Sequence, residues 1–147
     1  MLLDNLPKEE RDIRILGDYY DIALGTIKQV IGEEVVNSLM EDKQVFLDIC
    51  YEKTDWLAKC TDYEFFNKIE VSYIVMRMEF NYIIEVLIHE ILHTFSDTTA
   101  HDGVWLYYAD WISSETPYRI RFAGYDRDEE EEENYEEWLR YSERINY

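Results

Sequence analysis

A nearly apolar segment that also carries histidine and glutamate constrains this chain more than any other feature. Residues 79–94 place isoleucine, leucine and valine around most of a helical circumference, which predicts the central buried helix of the fold. His89, Glu90 and His93 lie inside this segment. Because unpaired polar groups in apolar surroundings are strongly destabilising, such a helix needs a compensating partner for them.

These three residues form the pattern H-E-x-x-H. Side chains four apart lie one above the other on a helix face, so His89 and His93 can reach one metal ion while Glu90 lies beside its open coordination position. His101 follows across a polar turn, and it completes the chain's three histidines. Three imidazoles suit Zn²⁺ and leave a fourth position for water, whose pKa then falls to about 7. The plainer alternative is that the motif holds two ordinary core histidines and His101 is a loop residue.

The remaining patterns predict an α+β fold. Helical periodicity covers residues 16–31, ended by Gly32, and a shorter helix is expected at 33–40. Three β-prone segments, 45–51, 56–60 and 64–76, suggest one small antiparallel sheet, the last with Ile69, Val71, Tyr73 and Val75 on one face. The buried motif helix follows, and then a helix at about 103–113 with Trp105 on its apolar side. Residues 118–122 are β-like.

The length and the distribution of charge indicate one domain with a tail. A chain of 147 residues supports one core, which we place in residues 1–125. Residues 126–147 contain the acidic run 129–133, expected to be a solvated linker, and then a short amphipathic helix.

The net charge of −19 restricts the partners. So negative a surface repels phosphate backbones, which makes direct nucleic-acid binding unlikely and favours basic protein partners. No segment has the length and apolar character of a membrane span, and two cysteines suit a reducing compartment, so we expect a cytoplasmic protein.

From His89 onward the chain resembles the SprT-like family of zinc metallopeptidases. The resemblance lies in the motif His89 to His93 with Thr94, then His101, Trp105 four residues later, Ala109, and the segment Tyr118-Arg119-Ile120-Arg121. Asp55-Trp56 and Cys60 resemble a further family element only weakly.

This resemblance implies a zincin-like fold in which His89, His93 and His101 bind zinc and Glu90 acts as the general base of peptide hydrolysis. The sequence departs from the family at Asp102, where a glycine is usual, at Phe95 and Thr98, where some members have cysteine, and in having no cysteine-rich zinc ribbon. Basic or nucleic-acid-associated proteins are the expected substrates, held by the strand that ends near Met76.

Two further functions remain open from the sequence. One is an acidic mimic of DNA, or an inhibitor, in which zinc is structural and Asp102 fills the fourth coordination position. The other is a toxin or interaction module that acts through residues 135–147.

Overall fold

The fold is described here from a computed structural model covering residues 7–96 and 103–120. The expected tail, 126–147, lies outside these residues, as do His101, Asp102 and Arg121. The elements in chain order are α1 (Lys8–Ile31), α2 (Glu33–Leu39), β1 (Gln44–Cys50), β2 (Ala58–Asp62), β3 (Phe66–Ser72), a 3₁₀ helix (Tyr73–Arg77), α3 (Phe80–Leu92) and α4 (Gly103–Glu115). The α+β class is confirmed.

The long helix α1 begins eight residues before the apolar pattern that predicted it. Pro7 precedes its first turn, where Glu9 and Glu10 lie at the positive end of the helix dipole. The helix ends at Gly32 as predicted, because that residue takes a φ of 111°, which a side chain would disfavour.

The sheet is mixed, and the prediction of an antiparallel sheet is wrong. The strand order is β1-β3-β2, with β1 parallel to β3 and β2 antiparallel to it. Strands β2 and β3 form a hairpin in which the amide of Tyr63 donates to the carbonyl of Phe66 over 2.9 Å. The chain between β1 and β2 crosses to the far side of β3. A period-2 pattern identifies strands but not their neighbours, so it could not reveal this order.

The third strand is shorter than the predicted segment 64–76. It ends at Ser72, whose hydroxyl accepts a hydrogen bond from the amide of Ile74 over 3.4 Å and caps the 3₁₀ helix that follows. Tyr73 and Val75 therefore lie in that helix and not on the strand. Strand β3 is also the central one, so the strand expected to hold a substrate already has a neighbour on each edge.

The helices pack on one face of the sheet. The inward rows place Ile69 between Leu47 and Cys60, and Val71 between Ile49 and Ala58. Helix α3 lies against α1, β2 and α4. The other face carries exposed ion pairs, with Lys68 at 3.4 Å from Asp48 and Lys59 at 3.5 Å from Glu70. The core therefore lies between the sheet and the helices.

Two smaller predictions have different outcomes. Helix α4 extends to Glu115, slightly past its expected end, and buries Trp105, Ala109 and Ile112. Residues 118–120 form no strand, against the β-like pattern of 118–122. In the described residues, no helix combines the length and the apolar character needed to cross a membrane.

Candidate functional site

The motif side chains lie in the last turn of α3, the most deeply buried helix of the fold. Every residue from Leu87 to Leu92 is buried, and His89 and Glu90 are each only 4% exposed. His93 forms the C-cap of the helix and is half-buried. The helix therefore carries two polar side chains within the core and a third at the point where the chain leaves it.

Helix α3 ends in a tightened turn, and Trp105 bonds to its last turn. The amide of His93 bonds to the carbonyl of Glu90 over 3.1 Å, and the next two amides continue the same i to i+3 pattern. The indole Nε1 of Trp105 donates to the carbonyl of His89 over 3.4 Å, which joins α4 to the end of α3.

Trp105 also packs against both imidazoles. Its ring centroid lies 4.8 Å from that of His89, edge on, and 5.7 Å from that of His93, stacked at 25°. The indole is fully buried. Trp105 therefore lies on the buried side of α4, as the sequence predicted, and there it packs against the motif.

The separation of the two imidazoles fits a shared metal ion. Their centroids are 5.1 Å apart, with the ring planes inclined at 66°. Zinc binds imidazole nitrogen at about 2.0–2.1 Å, so a tetrahedral ion holds two ring centroids roughly 5 Å apart. Within residues 7–96 and 103–120, no three histidine, cysteine, aspartate or glutamate side chains are grouped to hold a metal. His101, the third ligand expected from the sequence, lies outside these residues.

Glu90 is a carboxyl group in an apolar environment. Burial raises its pKa from 4.5 to about 8, because the charged form loses its hydration. Its Oε1 lies 3.9 Å from Nε2 of His89, next to the nitrogen and beyond hydrogen-bond distance. A cation bound at the histidines would lower this pKa, since it stabilises the carboxylate. The group can therefore exchange a proton near neutral pH, as a general base must.

Two half-buried titratable groups lie near the motif, Cys60 beside Glu90 and Tyr20 beside Cys60. Burial, followed by the charges of Glu90 and Asp62, raises the pKa of the Cys60 thiol to about 12. Burial, followed by the charges of Asp21 and Cys60, raises the pKa of the Tyr20 phenol to about 12. Both groups remain neutral at physiological pH, so Cys60 has little of the thiolate character that a nucleophile needs.

Sequence reasoning missed these neighbours of the motif. Cys60 reaches Glu90 because β2 is the strand that packs against α3, and a sequence does not contain that pairing.

The chain beyond the motif is held by a contact that the sequence did not predict. The amide of Ser96 donates to the carbonyl of Leu39 over 2.8 Å, which joins the end of α3 to the end of α2.

The comparisons with known proteins identify no relative. The chain matches no protein-family model, and a search of curated proteins finds no significant match.

Proposed function

We propose that the chain is a zinc metallopeptidase in which His89, His93 and His101 hold the metal and Glu90 is the general base. The observation that carries the proposal is the 5.1 Å separation of the His89 and His93 rings, close to the spacing that a shared zinc ion requires. The ion, when bound, would supply Lewis acidity to a substrate carbonyl and to the attacking water.

The chain's own residues account for the proton transfers. The Glu90 carboxylate takes a proton from the attacking water and returns it to the leaving amine. Burial raises the pKa of Glu90 and a bound cation would lower it, and these opposing effects suit a carboxyl group that must both accept and return a proton. Trp105 holds the two imidazoles by packing on both rings, and it excludes water from their inner side.

Basic proteins are the proposed substrates. A net charge of −19 attracts them and speeds encounter, and the attraction weakens with added salt. Direct binding of nucleic acid is disfavoured by the same charge. We place the activity in the cytoplasm, supported by two free cysteines in a chain of this size.

The test compares wild type with Glu90→Gln and with Glu79→Gln, a matched loss of one carboxylate at the exposed start of α3. We expect about one zinc per chain in all three proteins by mass spectrometry. A histone substrate should be cleaved by wild type and Glu79→Gln, and not by Glu90→Gln. A protein that remains metal-free in zinc-containing buffer contradicts the proposal, as does cleavage by Glu90→Gln.

A second candidate is an acidic mimic of DNA, and the charge of −19 is what favours it. In this case zinc is structural, and the protein binds a DNA-binding partner in a fixed ratio. The same variants separate the two functions. A mimic competes with DNA equally well as wild type and as Glu90→Gln, because its effect depends on the surface and not on Glu90.

A further inference from the structure

A groove runs along the outer side of the molecule between α1 and the edge strand β1. Its volume is about 540 Å³, and it is open to solvent along its length. Helix α1 contributes Arg14, Gly17, Asp18, Tyr20 and Asp21, and β1 contributes Val45 and Leu47. The motif residues do not line this groove.

The β1 side of the groove is an unused strand edge. In the described residues, no strand pairs with β1 on the side away from β3. The amide of Ile49 bonds to Asp48 Oδ1 over 2.8 Å, so it faces outward. Backbone groups in a parallel pair alternate in direction, which turns the amides of Val45 and Leu47 outward as well. Asp48 occupies the outward amide of Ile49 at one end of the edge, and the other two amides belong to residues that line the groove.

The α1 side of the groove contains a glycine that internal packing does not explain. Glycine in a helix interior is destabilising relative to alanine. A Cβ added at Gly17 would meet no atom of the described residues within 4 Å, so none of those residues requires a glycine at this position. The missing side chain widens the groove and allows another backbone to approach α1 closely.

The negative charges that line the groove favour a positively charged ligand. Asp18 and Asp21 are exposed on α1, one turn apart, and neither forms an ion pair within residues 7–96 and 103–120. The nearby Arg14 is 3.7 Å from Glu10, which balances its charge. The groove therefore presents two free carboxylates beside two free strand amides.

We propose that this groove binds an extended segment of a basic protein, which pairs with β1 as a fourth strand and places lysine or arginine beside Asp18 and Asp21. Backbone pairing with an exposed edge is a common way to bind an extended peptide, and alternate side chains then supply specificity. This site does not depend on the proposed catalytic function, because no motif residue contributes to it.

The experiment uses fluorescence polarisation with a short labelled peptide of alternating lysine and valine. It is performed on Glu90→Gln protein as well as wild type, so that cleavage of the probe cannot be mistaken for a failure to bind. We expect binding to both. A peptide N-methylated at alternate amides keeps the charge but loses strand pairing, and it should bind at least tenfold more weakly.

Matched variants locate the binding. Gly17→Ala should raise the melting temperature by a few degrees and weaken peptide binding. The control is Gly25→Ala, which also lies in α1 and whose added Cβ also meets no described atom within 4 Å. It should raise the melting temperature similarly and leave peptide binding unchanged. Asp18→Asn with Asp21→Asn should weaken binding about threefold to tenfold. The double variant Asp110→Asn with Glu115→Gln removes two exposed charges from α4 and should change peptide binding little.

Three results would overturn the proposal. One is that the peptide does not bind at all. Another is that the N-methylated peptide binds as well as the original. The third is equal weakening by the α4 and α1 charge variants, which would mean general attraction to an acidic surface.

Discussion

Helices α1 and α3 each bury one carboxylate, and they do so in different ways. Asp12 in α1 is 8% exposed and accepts a hydrogen bond from the Tyr51 hydroxyl over 2.8 Å. Glu90 in α3 is 4% exposed, and burial raises its pKa to about 8. A donor stabilises the first charge, whereas the second group remains poorly solvated. This difference agrees with the proposed function, in which Glu90 is the general base and Asp12 contributes to the fold.

Helix α3 is also more deeply buried than α1 as a whole. Helix α1 buries a single stripe of residues and leaves Asp18 and Asp21 exposed, whereas the last turn of α3 is buried on every side. Substitutions around α3 should therefore have the larger effects on stability.

The largest expected effect is that of Trp105→Ala. The indole is fully buried, contacts both imidazoles and donates to the His89 carbonyl, so its removal should cost about 3–5 kcal/mol of unfolding free energy. Urea denaturation measures the loss. Tyr107→Ala in the same helix is the control, because Tyr107 is 62% exposed and should cost less than about 1 kcal/mol. Similar losses in both variants would show that Trp105 does not secure the end of α3.

The next effect concerns the pH dependence of the metal-free protein. Folding raises the pKa of Glu90 from 4.5 to about 8, so between these values the folded state keeps a proton that the unfolded state releases. The stability of chelator-treated protein should therefore fall as pH rises through this range and level off above about 8. Glu90→Gln should remove this part of the fall and be more stable than wild type at pH 8.5, by an amount on the order of a few kcal/mol.

Thermal melts at several pH values measure this difference. Glu79→Gln provides the control, since an exposed carboxylate should leave the wild-type pH profile unchanged. If the stability of Glu90→Gln depends on pH in the same way as that of wild type, burial of the Glu90 carboxylate does not lower stability as predicted.

The helices were predictable from the sequence, and their contacts were not. Apolar periodicity placed α3 at 79–94, against the observed Phe80–Leu92, because helical patterns are local. The bond from Trp105 to the His89 carbonyl joins two helices, and the spacing of residues along the chain does not reveal such a contact. Ser72 did offer a local signal, because serine before an apolar run is a frequent helix cap.

In the candidate site, too, the local pattern was predictable and the contacts between elements were not. The motif identified His89, Glu90 and His93 from spacing alone, since residues four apart on a helix share a face. The sequence did not place Cys60 beside Glu90 or Tyr20 beside Cys60, because those contacts join three elements far apart in the chain. The role of His101 as third ligand stays a prediction.

The smallest effect tests the α1 side of the comparison. Tyr51→Phe removes the hydroxyl that donates to Asp12, and a hydrogen bond to a charged group contributes about 1.5–3 kcal/mol. Asp12 lies near the surface, where water can replace part of the bond, so we expect a loss near the lower value in urea denaturation. Tyr63→Phe is the control; it removes a hydroxyl from a ring that is 44% exposed and should change stability by less than about 0.5 kcal/mol.

A double-mutant cycle combines Tyr51→Phe with Asp12→Asn. The stability losses of the two single variants should not add, because both changes remove the same bond. Additive losses would mean that Tyr51 and Asp12 act independently, and the contrast between an Asp12 stabilised by a donor and a Glu90 whose pKa is raised by burial would then fail.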